Sequence, residues 1–460
     1  MTIDEALVTA PDVQAPPFSQ LGARTAGPVA VPGDEQYDAL VSPWNVAIPV
    51  RPAAVLAAET ADDVVEAVRF AVEHGLVVTP QATGHGPIAE LVGELLVTTA
   101  RLDECVVHPE GWARVGAGVK WLKVVEAAAP YGLAPLSGSI TDVGVVGYTT
   151  GGGLGPMART YGMAVDRVRA IEVVTGDGVL RRVTPTDDPE LFFALRGGKG
   201  MLGIVTAIEF DLVHQPTFYG GSLWFEGEHA AAVIEQWRSW SAELPELATT
   251  SFGLFQLPPM PDVPPQLADK LTLSVRYVWT GDAEEGERRF AAMRAAAPVL
   301  LDDVALKPYT AIDSVHTDPL DPVPAYEAAV VLTDFPQEAA DVLLAMTGPG
   351  SMSPQVLVEV RQMGGAVARP GEHESAFCSR GAAYAVLVVG IAGMPGVEGH
   401  AEGVVEALRP WAGGHRMPNF TFAARDYADA YDAATLERLR NAVRHYDPLG
   451  VMAIGRALEA

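Results

Sequence analysis

His85 stands between Gly84 and Gly86 in the stretch "QATGHGP", directly after the apolar run "LVVTP". Glycines on both sides let a backbone pass close to a ligand. An imidazole kept neutral at such a place is a nucleophile as well as a base. A satisfied histidine in a tight turn is the alternative, and His85 alone does not choose between them. The second concentration of glycine is "PLSGSITDVGVVGYTTGGGLGPMARTYG", residues 135–162. Glycine at that density gives up backbone entropy that a simple connector would not justify. Main-chain N–H groups are therefore expected to converge there on a ligand such as a pyrophosphate or the polar edge of a ring.

Two phosphate-binding patterns come close and fail. "GLGPMA", residues 153–158, fits G-x-G-x-x-A with Glu172 beyond it. The dinucleotide motif, however, needs a smooth apolar strand in front, and "GVVGYTTGG" is too rich in glycine to be one. "RGGKGMLG", around Lys199, lacks both the glycine spacing and the Ser/Thr of a phosphate loop.

Regular elements must hold these residues. Thr60 is placed to cap a helix over "ADDVVEAVRFAVEHG", with Val64, Ala67, Val68, Ala71 and Val72 on one face and Gly75 as its stop. "LVVTP", "ELLVTT" and "ARVGAGV" read as strands, and "KWLKVVEAAAPYG" as a helix. "VRAIEVVTGDGVLRRV" reads as a hairpin turning at Asp177-Gly178. Asp188-Pro189 starts the helix "ELFFALRG", and "LGIVTAIEFDLV" closes the region as a long strand. From Phe218 to about Arg409, alternating strands separated by helical stretches predict an antiparallel sheet with helices on one face. The expected organisation is an N-terminal arm over 1–45, a ligand-binding domain over 46–217, a second domain over 218–412 and a C-terminal segment over 413–460 that includes the helix "TLERLRNAVRHY".

With 460 residues the chain exceeds one compact core. Net charge is −27, and the scattered basic residues form no stripe able to neutralise a phosphate backbone, which argues against nucleic acid. No apolar run reaches the roughly 18 residues of a membrane span, and the N-terminus has no basic region leading into an apolar one. A cytoplasmic location is expected. Cys105 and Cys378, the only cysteines, lie at no metal-type spacing and read as small buried residues; no metal site is expected.

Taken in order, "QATGHGP", "GSITDVGVVGYTTGGGLG", "DDPELFFALRGGKGMLGIVTAIEFDL", "PNF" and "YDPLGVM" resemble the vanillyl-alcohol oxidase superfamily, specifically its berberine-bridge-enzyme-like branch. The resemblance implies an α+β, two-domain fold: a PCMH-type FAD-binding domain and an antiparallel-sheet substrate domain covered by helices. It implies FAD bonded through its 8α carbon to His85, whose loop contributes Gln81, Ala82, Thr83, Gly84 and Gly86. From the glycine block come Ser139, Asp142, Val143, Gly144, Gly147, Tyr148 and Gly153, followed by Gly203, Ile204 and Val205 of the long strand and by Asn419. Members with two covalent links carry a cysteine where Ile140 stands, so a single link is expected.

Two bases of the branch are missing. Met417 occupies the position of a tyrosine common in sugar oxidases, and Ala385 that of a glutamate. Tyr148, Arg361 and Tyr384 are the candidate catalytic residues. Tyr148 is either a donor at the ring edge or a packed aromatic with a satisfied hydroxyl. Glu359 and Arg361 share a strand face, either as a pair over the flavin or as a surface salt bridge. Tyr309, His316 and Tyr326 are further candidates. The function implied is oxidation of a small molecule in secondary metabolism, with hydride passing to FAD and then to O2, by a monomer or homodimer. An oxygen-excluding dehydrogenase and a non-redox flavin-containing binding or cyclising protein are the alternatives.

Overall fold

A computed structural model describes residues 16–86, 90, 92–261 and 263–458. The predicted helix spans Ala61–His74, and its ends show why it forms there. The Thr60 side chain accepts from the Asp63 N–H, Asp63 reaches back to the Thr60 N–H, and Gly75 ends the helix at φ +66°. Asp63 does more than cap: it also accepts from the N–H groups of Ala26, at 2.7 Å, and Gly27, at 3.0 Å. That pins the preceding segment to the domain, and strand β1 (Val29–Ala30) pairs with β2 (Ala54–Ala57). The arm expected over 1–45 is therefore, in its described part, a built-in edge of the first domain; residues 1–15 lie outside the described residues.

β2 continues through β4 (Leu95–Thr98) to β3 (Val78–Gln81), all three parallel. A second, antiparallel sheet takes the order β5-β6-β10-β8-β9, built from Cys105–His108, Trp112–Gly116, Gly203–Asp211, Val168–Thr175 and Leu180–Val183. The short pair β7 (Leu133–Ala134) and β11 (Val213–His214) lies beside it. Strands β8 and β9 are the predicted hairpin, with Gly178 at φ +73° in the turn. Asp447 caps the chain's return to this domain by accepting from the Val451 and Met452 N–H groups, and Met452 bridges to Val78 in β3.

The second domain is one eight-stranded antiparallel sheet. Its strands are β12 (Thr217–Glu226), β13 (Ala248–Gln256), β14 (Leu271–Trp279), β15 (Val299–Asp302), β16 (Ala305–Pro308), β17 (Ala325–Leu332), β18 (Leu357–Gln362) and β19 (Tyr384–Ile391). They run β15-β12-β14-β13-β18-β19-β17, with β16 also on β12. Helices Ala230–Ala242, Ala283–Arg294, Gln337–Thr347 and Val397–Ala407 cover one face, burying Trp237, Phe290, Leu343 and Val404 against Val358, Val360, Val386 and Val388. Because side chains alternate along a strand, the neighbours of those valines, Leu357, Arg361, Leu387 and Val389, face the first domain. The buried Arg159 guanidinium joins the two domains, donating to the carbonyls of Ala248, Leu244 and Met363.

Candidate functional site

A cavity of about 430 Å³ lies between the domains. The end of β3 and the loop after it bring Gln81, Ala82, Thr83, Gly84, His85 and Gly86 to one wall. Gly84 sits at φ +71°, where a Cβ would be 2.6 Å from Pro43 Cα, so this bend requires glycine. Ser139, Val143, Gly144, Gly147 and Tyr148 line the cavity from the glycine block, with Gly203, Ile204 and Val205 from β10. Asn419 completes this side, its amide donating to the Tyr148 carbonyl at 2.8 Å. The sheet of the second domain forms the opposite wall.

His85 is held by two contacts. Its Nδ1 lies 2.8 Å from Thr83 Oγ1, and its ring stacks on Trp44 with centroids 4.4 Å apart. Nε2 is buried with no partner among the described residues. Burial, with help from Lys120 and against Asp142, pushes its pKa down to about 4, so the ring is neutral at neutral pH.

Tyr148 Oη donates to the Ser137 carbonyl at 3.2 Å, and burial raises its pKa far above the usual phenol range. The structure thus favours the satisfied hydroxyl over the donor at a ring edge. Arg361 opens onto the cavity with its guanidinium over Phe420. Glu359, fully buried, binds Arg361 at 2.7 Å and also pairs with Arg276 and, at 3.4 Å, with His316. Burial opposes the charge of Glu359, but the two arginines outweigh it and hold the carboxyl well below its ordinary range. The surface salt bridge considered for Glu359 and Arg361 is therefore an interior network.

Several expected site residues have other roles. Tyr384 falls on the helix-covered face of β19, packed on Trp237 and Phe335, because strand alternation turns it away from the cavity. Asp142 is outside the lining and pairs with Lys120 at 2.6 Å. Gly153 lies behind the Tyr148 ring, which a Cβ there would meet at 2.6 Å. Tyr309 is buried on Ser137, His316 on Glu359, and Tyr326 bonds Glu402 beneath the helices. Met417 and Ala385 are both buried in one apolar cluster. The cysteines are half-buried and unpaired.

The sequence reading missed Trp44, Lys199, Asp318 and Glu327, all of which line the cavity. Lys199 had a visible signal: a long side chain inside "GGKGM", and in the structure a non-glycine residue at φ +54°. Glu327 had a weaker one, a lone charge in "AYEAAVVL".

Residues 52–184 match the FAD binding domain family. Residues 52–184 thus carry an FAD binding domain, and the two-domain fold matches that of PCMH-type, berberine-bridge-enzyme-like oxidases. In sequence it is similar to (R)-6-hydroxynicotine oxidase of Paenarthrobacter nicotinovorans, 27% identical over 305 residues, 64% of this chain and 63% of the relative. The alignment thus spans less than two thirds of that relative's length. In structure it is similar to 6-hydroxy-D-nicotine oxidase from Arthrobacter nicotinovorans, with a TM-score of 0.78 at 22% identity over 93% of this chain and 96% of that one. It is similar also to BBE-like 1 of Physcomitrella patens, with a TM-score of 0.82 at 17% identity over 95% and 97%.

The residues present fit a flavin. The orphaned Nε2 of His85 is aimed at no protein group among the described residues. A Cβ at Gly147, in the cavity wall, would meet nothing within 4 Å, which leaves room for a ligand against the backbone.

Proposed function

We propose that this chain is an FAD-dependent oxidase that takes hydride from a small organic substrate, passes the electrons to O2 and releases hydrogen peroxide, with FAD bonded once, through its 8α carbon, to His85. The observation that carries the reading is the state of His85: a neutral ring on the cavity wall, with a buried nitrogen that has no partner among the described residues. Bound FAD supplies an electrophilic 8α carbon and a two-electron acceptor.

The chain's own residues do the positioning. Thr83 fixes Nδ1, Trp44 fixes the ring plane, and burial removes the proton that would compete for the nucleophilic lone pair. Gly203, Ile204 and Val205 line the cavity, and Asn419 ties the 417–420 turn to the Tyr148 carbonyl. Ile140, an apolar side chain with no thiol, supports one link rather than two. Met417 in place of a tyrosine base supports a secondary metabolite over a sugar as substrate. A cytoplasmic location and a monomeric or homodimeric state belong to the same proposal.

Acid precipitation tests the link. The wild-type pellet is expected to stay yellow, and His85→Ala to release its colour into the supernatant; a yellow wild-type supernatant overturns the covalent bond. Stopped-flow reoxidation of the photoreduced holoenzyme tests the oxidase. Fast recovery in air supports it, and sluggish recovery assigns the chain to the dehydrogenases instead.

A further inference from the structure

Among the ionisable side chains that line the cavity and have no part in the proposed function are Lys199 and Glu327. Lys199 comes from the loop before β10 in the first domain, and Glu327 from β17 in the second. Lys199 is held at φ +54°, a conformation that costs a non-glycine residue energy and persists where the surroundings demand it. The strain delivers a long cationic side chain into the interior. Its Nζ lies 3.5 Å from the Pro418 carbonyl, and a Cβ at Gly86 would be 3.7 Å from it, so it sits between the His85 loop and the 417–420 turn.

Glu327 projects from the cavity face of its strand, as Ala325 does. No hydrogen bond and no direct ion pair engages its carboxylate among the described residues, yet each of the two groups feels the other's charge. The neighbouring cation, Arg361, is already bound by Glu359.

Burial, with Asp318 adding to it and Lys199 opposing it, pushes Glu327 up to about 7. Burial, opposed by Glu327, pushes Lys199 down to about 8. The other charged or titratable groups lining the cavity among the described residues are Arg361 on β18, Asp318 in the loop before β17, and Tyr148, Tyr427 and His85 of the first domain's side. Groups with pKa values near neutral are suited to exchanging protons with a substrate.

We propose that Glu327 is the proton acceptor and Lys199 the oxyanion partner for a substrate hydroxyl, an alcohol or phenol, seated between them. This rests on the oxidase reading and assigns it a substrate class and two catalytic residues. A hydroxyl suits the gap because it donates to a carboxylate while accepting from an ammonium, whereas an alkylammonium would face Lys199 with like charge. In the step assigned here the O–H bond breaks, its proton passes to the Glu327 carboxylate, and the oxygen keeps the electron pair beside the Lys199 ammonium. The base missing at Met417 and Ala385 is thus supplied from β17, and the loop before β10 adds a cation beside the oxygen.

The test uses 4-nitrophenol, whose colour reports its own ionisation, added to holoenzyme at fixed pH across the neutral range and followed by difference absorbance. The wild type is expected to bind it as the phenolate. Lys199→Met is expected to weaken phenolate binding about tenfold or more, the equivalent of about one pKa unit. Glu327→Gln is expected to abolish the fall in affinity on the alkaline side of neutrality, leaving only the rise that the probe's own ionisation causes, and Glu327→Asp to restore that fall in part. Failure of the wild type to bind the probe, or equal affinity and ionisation in all four proteins, overturns the assignment. Should Glu327→Gln lose its flavin, Lys199→Met and Glu327→Asp still decide it. Reoxidation of photoreduced flavin, run in parallel without the probe, reports on the oxidase reading separately.

Discussion

The indole of Trp44 lies flat against the imidazole of His85, with ring centroids 4.4 Å apart and planes 13° from parallel. The same indole donates to the Leu320 carbonyl at 3.0 Å, so a residue of the N-terminal segment ties the His85 loop to the second domain. Stacking at that distance both orients the ring and shields it from water.

Trp44→Ala is therefore expected to raise the His85 pKa from about 4 toward its ordinary 6.5, as solvent reaches the ring. The titration of the His85 ring protons by NMR in the flavin-free protein measures it. The acid-precipitable flavin fraction should fall with it most clearly in protein assembled below pH 6.5, where the exposed ring is protonated.

The depressed pKa of His85 has a stability consequence with a definite sign. Between pH 6.5 and about 4 the unfolded chain binds a proton at this ring that the folded chain refuses. Its contribution is present above pH 6.5 and drains away as pH falls toward 4. Urea midpoints of the flavin-free protein should drop across that window, and less steeply in His85→Gln.

Glu359→Gln removes the shared counter-ion of Arg276 and Arg361 in an interior where Arg276 is 1% exposed. Leaving buried cations uncompensated costs about 3–5 kcal/mol. Denaturant unfolding measures this. Glu73→Gln, which breaks the exposed pair with Arg24, provides the contrast at about 1 kcal/mol or less.

Tyr148→Phe keeps the ring that packs edge-on against Trp121, 5.6 Å between centroids, and loses only the bond to the Ser137 carbonyl. The expected cost is about 1 kcal/mol in unfolding free energy. Because the hydroxyl is spent on Ser137, the flavin reduction potential, read by dye equilibration, should stay unchanged.

The elements legible in the sequence are those whose signals are local. Thr60 and Gly75 mark both ends of one helix, and Asp177-Gly178 marks a hairpin, because capping and turn chemistry act over a few residues. The His85 loop and most of the glycine block were also legible, since bare backbone is written in composition. Sheet parity was not. Arg361 and Tyr384 sit on adjacent paired strands, yet one enters the cavity and the other packs under helices, a difference set by register. Lys199 and Glu327 line the same cavity only because β17 lies beyond β19 at the sheet edge and faces a loop more than a hundred residues away in sequence. Nothing local encodes that placement.

The bridge from Met452 to Val78, with Asp447 capping the turn that precedes it, makes the first domain discontinuous in the chain. During translation the second domain is synthesised whole before the segment that closes the first domain is complete. The nascent protein is thus expected to fold its interior insertion first and to become competent for cofactor capture only once the segment around Met452 has emerged.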